Sequence, residues 1–282
     1  MTTLNAYATL AEYKSFVTSR GEAITSSAVD DGVIEMLLKA ASRYMDTKTQ
    51  RYYYPFIETR YYDVPRGSQV DPRLLRLDGD LLEVITLTNG DSTSIPSTEY
   101  KLHPRNITPY YGIRLNDNSA YRWASNGAGD IHAVIAVAGI WGYHRQYAKA
   151  WETITTANEA LDATETGYDV TASAGFVVGD LIRFDNEFGY VSSTAGSNTL
   201  TITRGENGSA AATHDTAINV KVWRPVDNLK EAVLEMTLFA YKRRFGQSSA
   251  NIPTITAAGV VLTPRDVPVM AADFISVNAQ VL

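Results

Sequence analysis

Two hydrophobic periods alternate along this chain, and the switches between them mark its elements. Thr9 precedes Glu12 by the spacing of a capping box, and Leu10, Tyr13, Phe16 and Val17 then recur at helical intervals as far as Gly21, predicting a short helix. Ser26, Ser27, Asp30 and Asp31 supply the caps and first-turn acidity of a second helix. Its Val33, Met36, Leu37, Ala40, Ala41 and Tyr44 fall on one face, and it should run to about Gln50. From Phe56 the period drops to two, with Ile57, Thr59 and Tyr61 on one side and Glu58, Arg60 and Tyr62 on the other, as a half-buried strand requires.

Strands are expected at 74–77, 82–88, 99–102 and 112–115, with Asn89-Gly90-Asp91 as a hairpin turn. An apolar strand at 131–140, broken by Gly139, completes one small antiparallel sheet. Between Tyr147 and Val226 lies an acidic segment whose core, Tyr168 to Val222, is rich in Gly, Thr and Ser. Short strands at 176–178, 181–184, 190–191, 199–203 and 218–220 are separated there by turns at Gly179-Asp180, Gly196-Ser197-Asn198 and Asn207-Gly208, which reads as an inserted β module. Asp227 caps a last long helix with Leu229, Val233, Met236 and Ala240 as its buried stripe; Lys242, Arg243 and Arg244 suit its C-terminal dipole, and Gly246 ends it. Beyond it only Arg265, Asp266 and Asp273 are charged, and Pro253, Pro264 and Pro268 preclude a long regular helix before residue 270. The expected class is α+β: a helical bundle packed with a small antiparallel sheet (1–146 and 225–246), an inserted all-β domain (147–224) and an extended C-terminal arm (247–282).

Composition narrows the function. With 45% hydrophobic and 20% charged residues, the 282-residue chain has the make-up of a folded globular protein. Its 25 Lys+Arg against 31 Asp+Glu give a net charge of −6, so nothing global attracts phosphate or anionic lipid. The absence of cysteine excludes disulfides, thiol nucleophiles, iron–sulfur clusters and cysteine-type zinc sites. The segment Met1 to Leu10 lacks the pattern of a secretory signal, and the longest apolar run, Ala133 to Trp141, is too short to cross a bilayer; cytosol-like solvent is the expected surrounding.

Candidate chemistry is sparse. His103, His132, His144 and His214 are scattered and show no zinc-type spacing, so structural roles are expected. Asp180, Asp185 and Glu187 lie close enough in sequence to bind calcium or act as an acid/base pair, although carboxylates beside Gly179 and around Asn186 are also ordinary turn formers. No phosphate-binding glycine loop or serine-hydrolase elbow occurs. Arg51 to Pro55 and Arg60-Tyr61-Tyr62 interleave cations with aromatics; base stacking is one reading, a core edge or subunit interface the favoured one.

The order of elements, with Tyr44-Met45, the run Tyr53 to Val64, Asp227 to Glu235 and Tyr241 to Arg244, resembles the head-to-tail connector, or adaptor, family of tailed bacteriophages over residues 9–145 and 225–246. The insert resembles a segment of phage structural proteins through Val178 to Ile182, Asn198 to Gly205 and Ala210 to His214. The resemblance implies a non-enzymatic virion protein without cofactor or metal, assembled in the host cytoplasm into a ring of twelve copies between the portal protein and a tail or neck protein, with DNA passing through unread. Within it, Tyr52, Tyr53, Tyr61, Tyr62, Arg243 and Arg244 are expected at subunit contacts. The arm would dock on the portal through Ile252, Ile255, Val260, Leu262 and Val267, then Met270, Phe274, Ile275, Val281 and Leu282; its folding back on its own subunit is the competing reading. The alternative function is a carbohydrate-binding or carbohydrate-acting tail or fibre protein, with Asp185, Glu187 and Trp223 in the site.

Overall fold

A computed structural model describes residues 5–21, 28–67, 71–245, 254–255, 261–262 and 267–280. The fold is mixed α+β, with five helices and two larger antiparallel sheets among these residues. The chain divides into two compact units, residues 52–151 with 207–210, and residues 1–51, 152–206 and 211–282.

The first of these is a five-stranded sheet of order β1-β5-β2-β4-β3, comprising β1 (Phe56–Tyr62), β2 (Leu74–Thr88), β3 (Tyr100–His103), β4 (Tyr110–Leu115) and β5 (Ile135–Trp141). The two strands expected at 74–77 and 82–88 are one strand, β2, whose register slips between Arg76 and Leu81 on β4 and twice more on β5. Gly139 does not break β5. It lies inside the strand, where a Cβ would stand 2.6 Å from the carbonyl oxygen of Glu83, so glycine is what lets β2 bulge against it. The turn after β2 takes its left-handed residue at Ser92 (φ 65°), not at Asn89 or Gly90. Leu75, Leu81, Leu87, Ile113, Ile135, Val137 and Trp141 fill the core, with no charged side chain among its buried members.

The edge of β1 carries a graft from far along the chain. Ile57 N–H donates to the Asn207 carbonyl (2.8 Å), and Asn207 Nδ2 donates to the Pro55 carbonyl (2.9 Å). Gly208 (φ 78°) lies so close that a Cβ would sit 2.1 Å from the Ile57 oxygen.

In the other unit, α1 (Leu10–Ser19) has the expected capping box: the Glu12 amide donates to Thr9 Oγ1 (3.2 Å) and the Thr9 amide to Glu12 Oε2 (2.8 Å). Helix α2 (Ala28–Thr49) ends where Gln50 turns left-handed (φ 56°). Its buried stripe is Ile34, Leu38, Ala41 and Met45, one step round from the expected face; Met36 is 48% exposed. The stripe continues through Ser42 and Thr49, whose hydroxyls are satisfied by the carbonyls of Leu38 and Met45, so polar residues sit inside without orphaned groups. The single turn α3 (Tyr147–Ala150) belongs to the five-stranded unit; in the helical one, α4 (Asp227–Arg244) packs on α2 and buries Leu229, Ala232, Val233, Leu234, Thr237 and Leu238. Asp227 is its first residue, not its cap; Val226 stands at the cap with no side-chain bond, and Asp227 serves the helix dipole instead.

The same unit contains a six-stranded sheet of order β6-β11-β8-β9-β10-β7: β6 (Trp151–Thr156), β7 (Gly167–Asp169), β8 (Leu181–Phe184), β9 (Glu187–Ser193), β10 (Thr199–Thr203) and β11 (Asn219–Trp223). No strand forms at 176–178, where the chain turns and Phe176 enters the core. The described part of the arm is not extended throughout. Two short strands, β12 (Thr254–Ile255) and β13 (Val261–Leu262), pair with each other, and Val269–Asn278 forms α5, packed on α4 and α2. Pro268 sits just before the first turn, where its lost N–H costs nothing, and no proline follows within the helix. Ala271 and Phe274 are buried by α5, the Gln280 amide donates to the Thr49 carbonyl (2.9 Å), and Arg51 Nε to the Asn278 carbonyl (3.1 Å).

Candidate functional site

The carboxylates singled out in the insert form a buried knot. Strands β8 and β9 make a two-residue hairpin with Asp185 left-handed (φ 51°) at its tip. Glu187, the first residue after it, is only 1% exposed. Arg204 binds it with both arms, Nε to Oε1 at 2.9 Å and Nη2 to Oε2 at 2.8 Å. The amides of Gly205 (3.2 Å) and Ala212 (2.8 Å) also donate to it. His214 completes the knot, with Nε2 2.9 Å from Glu187 and Nδ1 2.9 Å from Asp185, its ring edge-on to Phe184. Arg204 further donates to the carbonyls of Asp162, Glu165 and Ala212.

Burial would raise the Glu187 pKa, but the hydrogen bonds from Arg204, His214 and the Ala212 amide hold it below the ordinary glutamate value. Such a carboxylate stays ionised and occupied. It offers neither a general acid nor an open metal ligand, and Asp185, Glu187 and Trp223 do not make an open carboxylate pair. Trp223 is 6% exposed, at the end of β11. No group of three or more potential metal ligands occurs among the described residues.

Asp180 is separate. It is 6% exposed, Oδ2 accepts from the Val177 amide (2.9 Å), and Arg224 Nη1 lies 3.6 Å from Oδ1. Burial pushes its pKa up to about 6; the Val177 amide and Arg224 oppose that, Glu12 adds to it, and Lys230 opposes it.

The histidines are equally dispersed. His132 is exposed and bonded to Asp63 (3.0 Å), which raises its pKa. His144 is buried, its Nδ1 accepting from the Gln146 amide (3.1 Å), while His103 lies on β3.

Sequence reasoning missed a surface cleft of about 560 Å³ on the five-stranded sheet. Leu82, Val84, Leu102, Tyr100 and Tyr110 form its apolar and aromatic lining, Lys101 and Arg105 its cations, and Tyr147 donates to Glu83 Oε2 (2.8 Å) within it. A neighbouring hollow of about 420 Å³ shares Lys101 and Arg105 and adds His103 and Arg114, the latter ion-paired to Asp71 and Asp117 (both 2.8 Å). The cleft residues run from Leu82 to Tyr147, without a local motif that could have revealed them.

The tyrosines expected at subunit contacts separate into two kinds. Tyr53 (1% exposed) and Tyr62 (8%) belong to the chain's own interior, Tyr62 donating to Asp78 (2.8 Å), so neither is presented to a neighbour. Tyr52 (52%) and Tyr61 (63%) are exposed, as are Arg243 and Arg244. Of the arm residues, Phe274 is 5% exposed and turned onto its own chain; Val267 and Ile275 are half-buried, and Met270 is 38% exposed. Ile255 and Leu262 lie in β12 and β13. Ile252, Val260, Val281 and Leu282 fall outside the described residues. Among the described residues no helix is long and apolar enough to cross a membrane. Comparison with family models, curated proteins and solved structures yields no match.

Proposed function

We propose that the chain is a structural connector of a tailed bacteriophage, a subunit of a ring, of twelve copies by the resemblance, that joins the portal protein of the head to a tail or neck protein and lets DNA pass. The observation that carries this reading is the outer face of α5. Val269 (51% exposed), Met270 (38%) and Val277 (72%) point outward, and Asp273 is the only charged residue of the helix. Isolated exposed apolar residues are ordinary; a charge-poor helix with apolar residues on both its faces is a surface made for a partner. In a connector, the inner face of α5 holds it to its own subunit through Ala271 and Phe274 while the outer face meets the portal.

The net charge fits a DNA conduit. The five-stranded unit has ten basic and ten acidic side chains, so the whole excess of −6 lies in the helical unit with its β module, and a negative wall does not retain DNA. The alternative placed in the insert has less support, because the Glu187 carboxylate is already fully engaged.

The test is assembly of the full chain with its portal, followed by electron microscopy and sedimentation. Rings that cosediment with portal are expected, and Val277→Glu together with Met270→Glu should abolish portal docking without changing the melting temperature. A chain absent from purified DNA-filled particles overturns the reading.

A further inference from the structure

We propose that the outer edge of β1 is a pairing surface for a second copy of this chain, and that the Asn207–Ala210 segment is a guard holding that edge closed. The argument starts from strand alternation. Pro55 and Ile57 turn their backbone groups towards Asn207, away from β5, so Thr59 and Tyr61, two and four residues beyond Ile57, turn theirs the same way. Among the described residues no strand lies on that side, since β1 ends the sheet order. Thr59 is exposed and Tyr61 is 63% exposed. An open edge of this kind is a template for another strand unless something covers it.

The sequence of β1, Phe-Ile-Glu-Thr-Arg-Tyr-Tyr, names the occupant. Laid antiparallel against itself with Thr59 at the two-fold axis, Glu58 faces Arg60 of the other copy, twice over. Ile57 faces Tyr61, and Phe56 faces Tyr62. Around a central Thr59–Thr59 pair every other rung is charge-complementary or apolar, and both such pairs and facing threonines favour a stable cross-strand set. Moving the axis by one residue sets Arg60 against Arg60, and moving it to Tyr61 sets Arg60 against Tyr62, so the complementarity selects one register. Glu58 and Arg60 already pair within the strand (2.7 Å), and a second copy converts that pair into an alternating row of four charges.

The guard acts on the outer rungs. Asn207 occupies the Ile57 N–H that the Ile57–Tyr61 rung needs, and by symmetry one guard blocks each end. A two-fold pair closes at two copies, whereas a ring grows through unlike surfaces, so an open edge would divert subunits from ring growth. The inference does not depend on the connector reading, because its readout is a contact at Thr59 whatever else the chain assembles into.

The chain has no cysteine, so Thr59→Cys creates a single thiol. Directly opposed hydrogen-bonded residues have Cα atoms about 5.5 Å apart, within the disulfide range of about 4.4–6.8 Å. Gly208→Val evicts the guard, since its Cβ cannot fit against Ile57. Under mild oxidation, Thr59→Cys alone should stay uncrosslinked, and Thr59→Cys/Gly208→Val should give severalfold more disulfide-linked dimer. Adding Glu58→Arg should remove the dimer, and adding Arg60→Glu as well should restore it. Circular dichroism checks the fold; if Gly208→Val does not fold, the smaller Gly208→Ala, whose Cβ meets the same Ile57 oxygen, takes its place. A folded, unguarded chain that forms no dimer, or a dimer indifferent to Glu58→Arg, overturns the pairing surface. Equal crosslinking with the guard intact overturns the guard.

Discussion

The two large sheets of this protein are held in opposite ways. The five-stranded sheet packs a core of Leu, Ile, Val, Trp and Tyr with no buried charge among its members. The six-stranded sheet also has an apolar core, from Ala157 through Val222, but closes its loops with the buried Arg204–Glu187–His214 knot. The difference follows from what each must restrain. In the first sheet strand pairing itself defines the layer, and hydrophobic burial is indifferent to the identity of the groups it brings together. In the second, the short segments Asp162 to Glu165 and Ala212 to His214 lie outside the strands and offer little apolar surface, so directional interactions fix them. Arg204 does so, spanning both segments and the hairpin with one guanidinium.

The largest break in this contrast is Glu187→Ala. It strands a buried guanidinium and should cost about 3–5 kcal/mol in urea denaturation. Replacing Glu187 and Arg204 together by leucine and methionine should recover a large part of that loss, and failure to recover it means the knot is more than an ion pair.

A smaller effect is expected at Asp180, at the entrance to β8. Its pKa in the folded state, about 6, stands above the ordinary value of 3.8, so the folded chain binds the proton more tightly than the unfolded one. The sign is therefore the reverse of a salt-bridged carboxylate. Stability from this group is present below pH 4 and falls as pH rises towards 6, by about 2–3 kcal/mol in all. Asp180→Asn should flatten this fall, gaining on the parent between pH 4 and pH 7.5; an unchanged pH profile rejects the buried, protonating carboxylate.

The smallest effect contrasts two tyrosines. Tyr62, in the five-stranded sheet, donates to Asp78, and Tyr62→Phe should cost about 1 kcal/mol. Tyr168, fully buried in the six-stranded sheet, has a hydroxyl with no partner among the described residues, so Tyr168→Phe should be neutral or slightly stabilising. Equal losses at the two sites would remove the distinction.

What the sequence made legible was local. The Thr9–Glu12 cap and the turn around Asn186 are each specified within a few residues and stand where they were expected, whereas the α4 stripe is met only at Leu229 and Val233: Met236 and Ala240 are half-buried, and Ala232, Leu234, Thr237 and Leu238 turn inward instead. The face of α2 was misplaced because apolar residues surround much of that helix, and the stripe Ile34, Leu38, Ala41, Met45 is distinguished only by which helices pack on it. Strand β7 is three residues long and β6 has no clean alternation in burial, so neither offered a period to detect. Glu187 looked like a surface turn former because its partners lie 17 and 27 residues away, a separation that no local pattern encodes. Helix α5 escaped notice behind three prolines, the last of which is its starting signal.

The discontinuity of the helical unit has a consequence for synthesis on the ribosome. Residues 52–151 supply all five strands of the first sheet in one stretch, so that sheet can form as soon as it emerges. Helix α2 ends at Thr49, yet its partner α4 begins only at Asp227. At about 5–20 residues per second, α2 waits roughly 10–35 s with Ile34, Leu38 and Met45 uncovered. Nascent chains stalled before residue 227 should therefore recruit chaperones at their first fifty residues, and those stalled after residue 244 should release them.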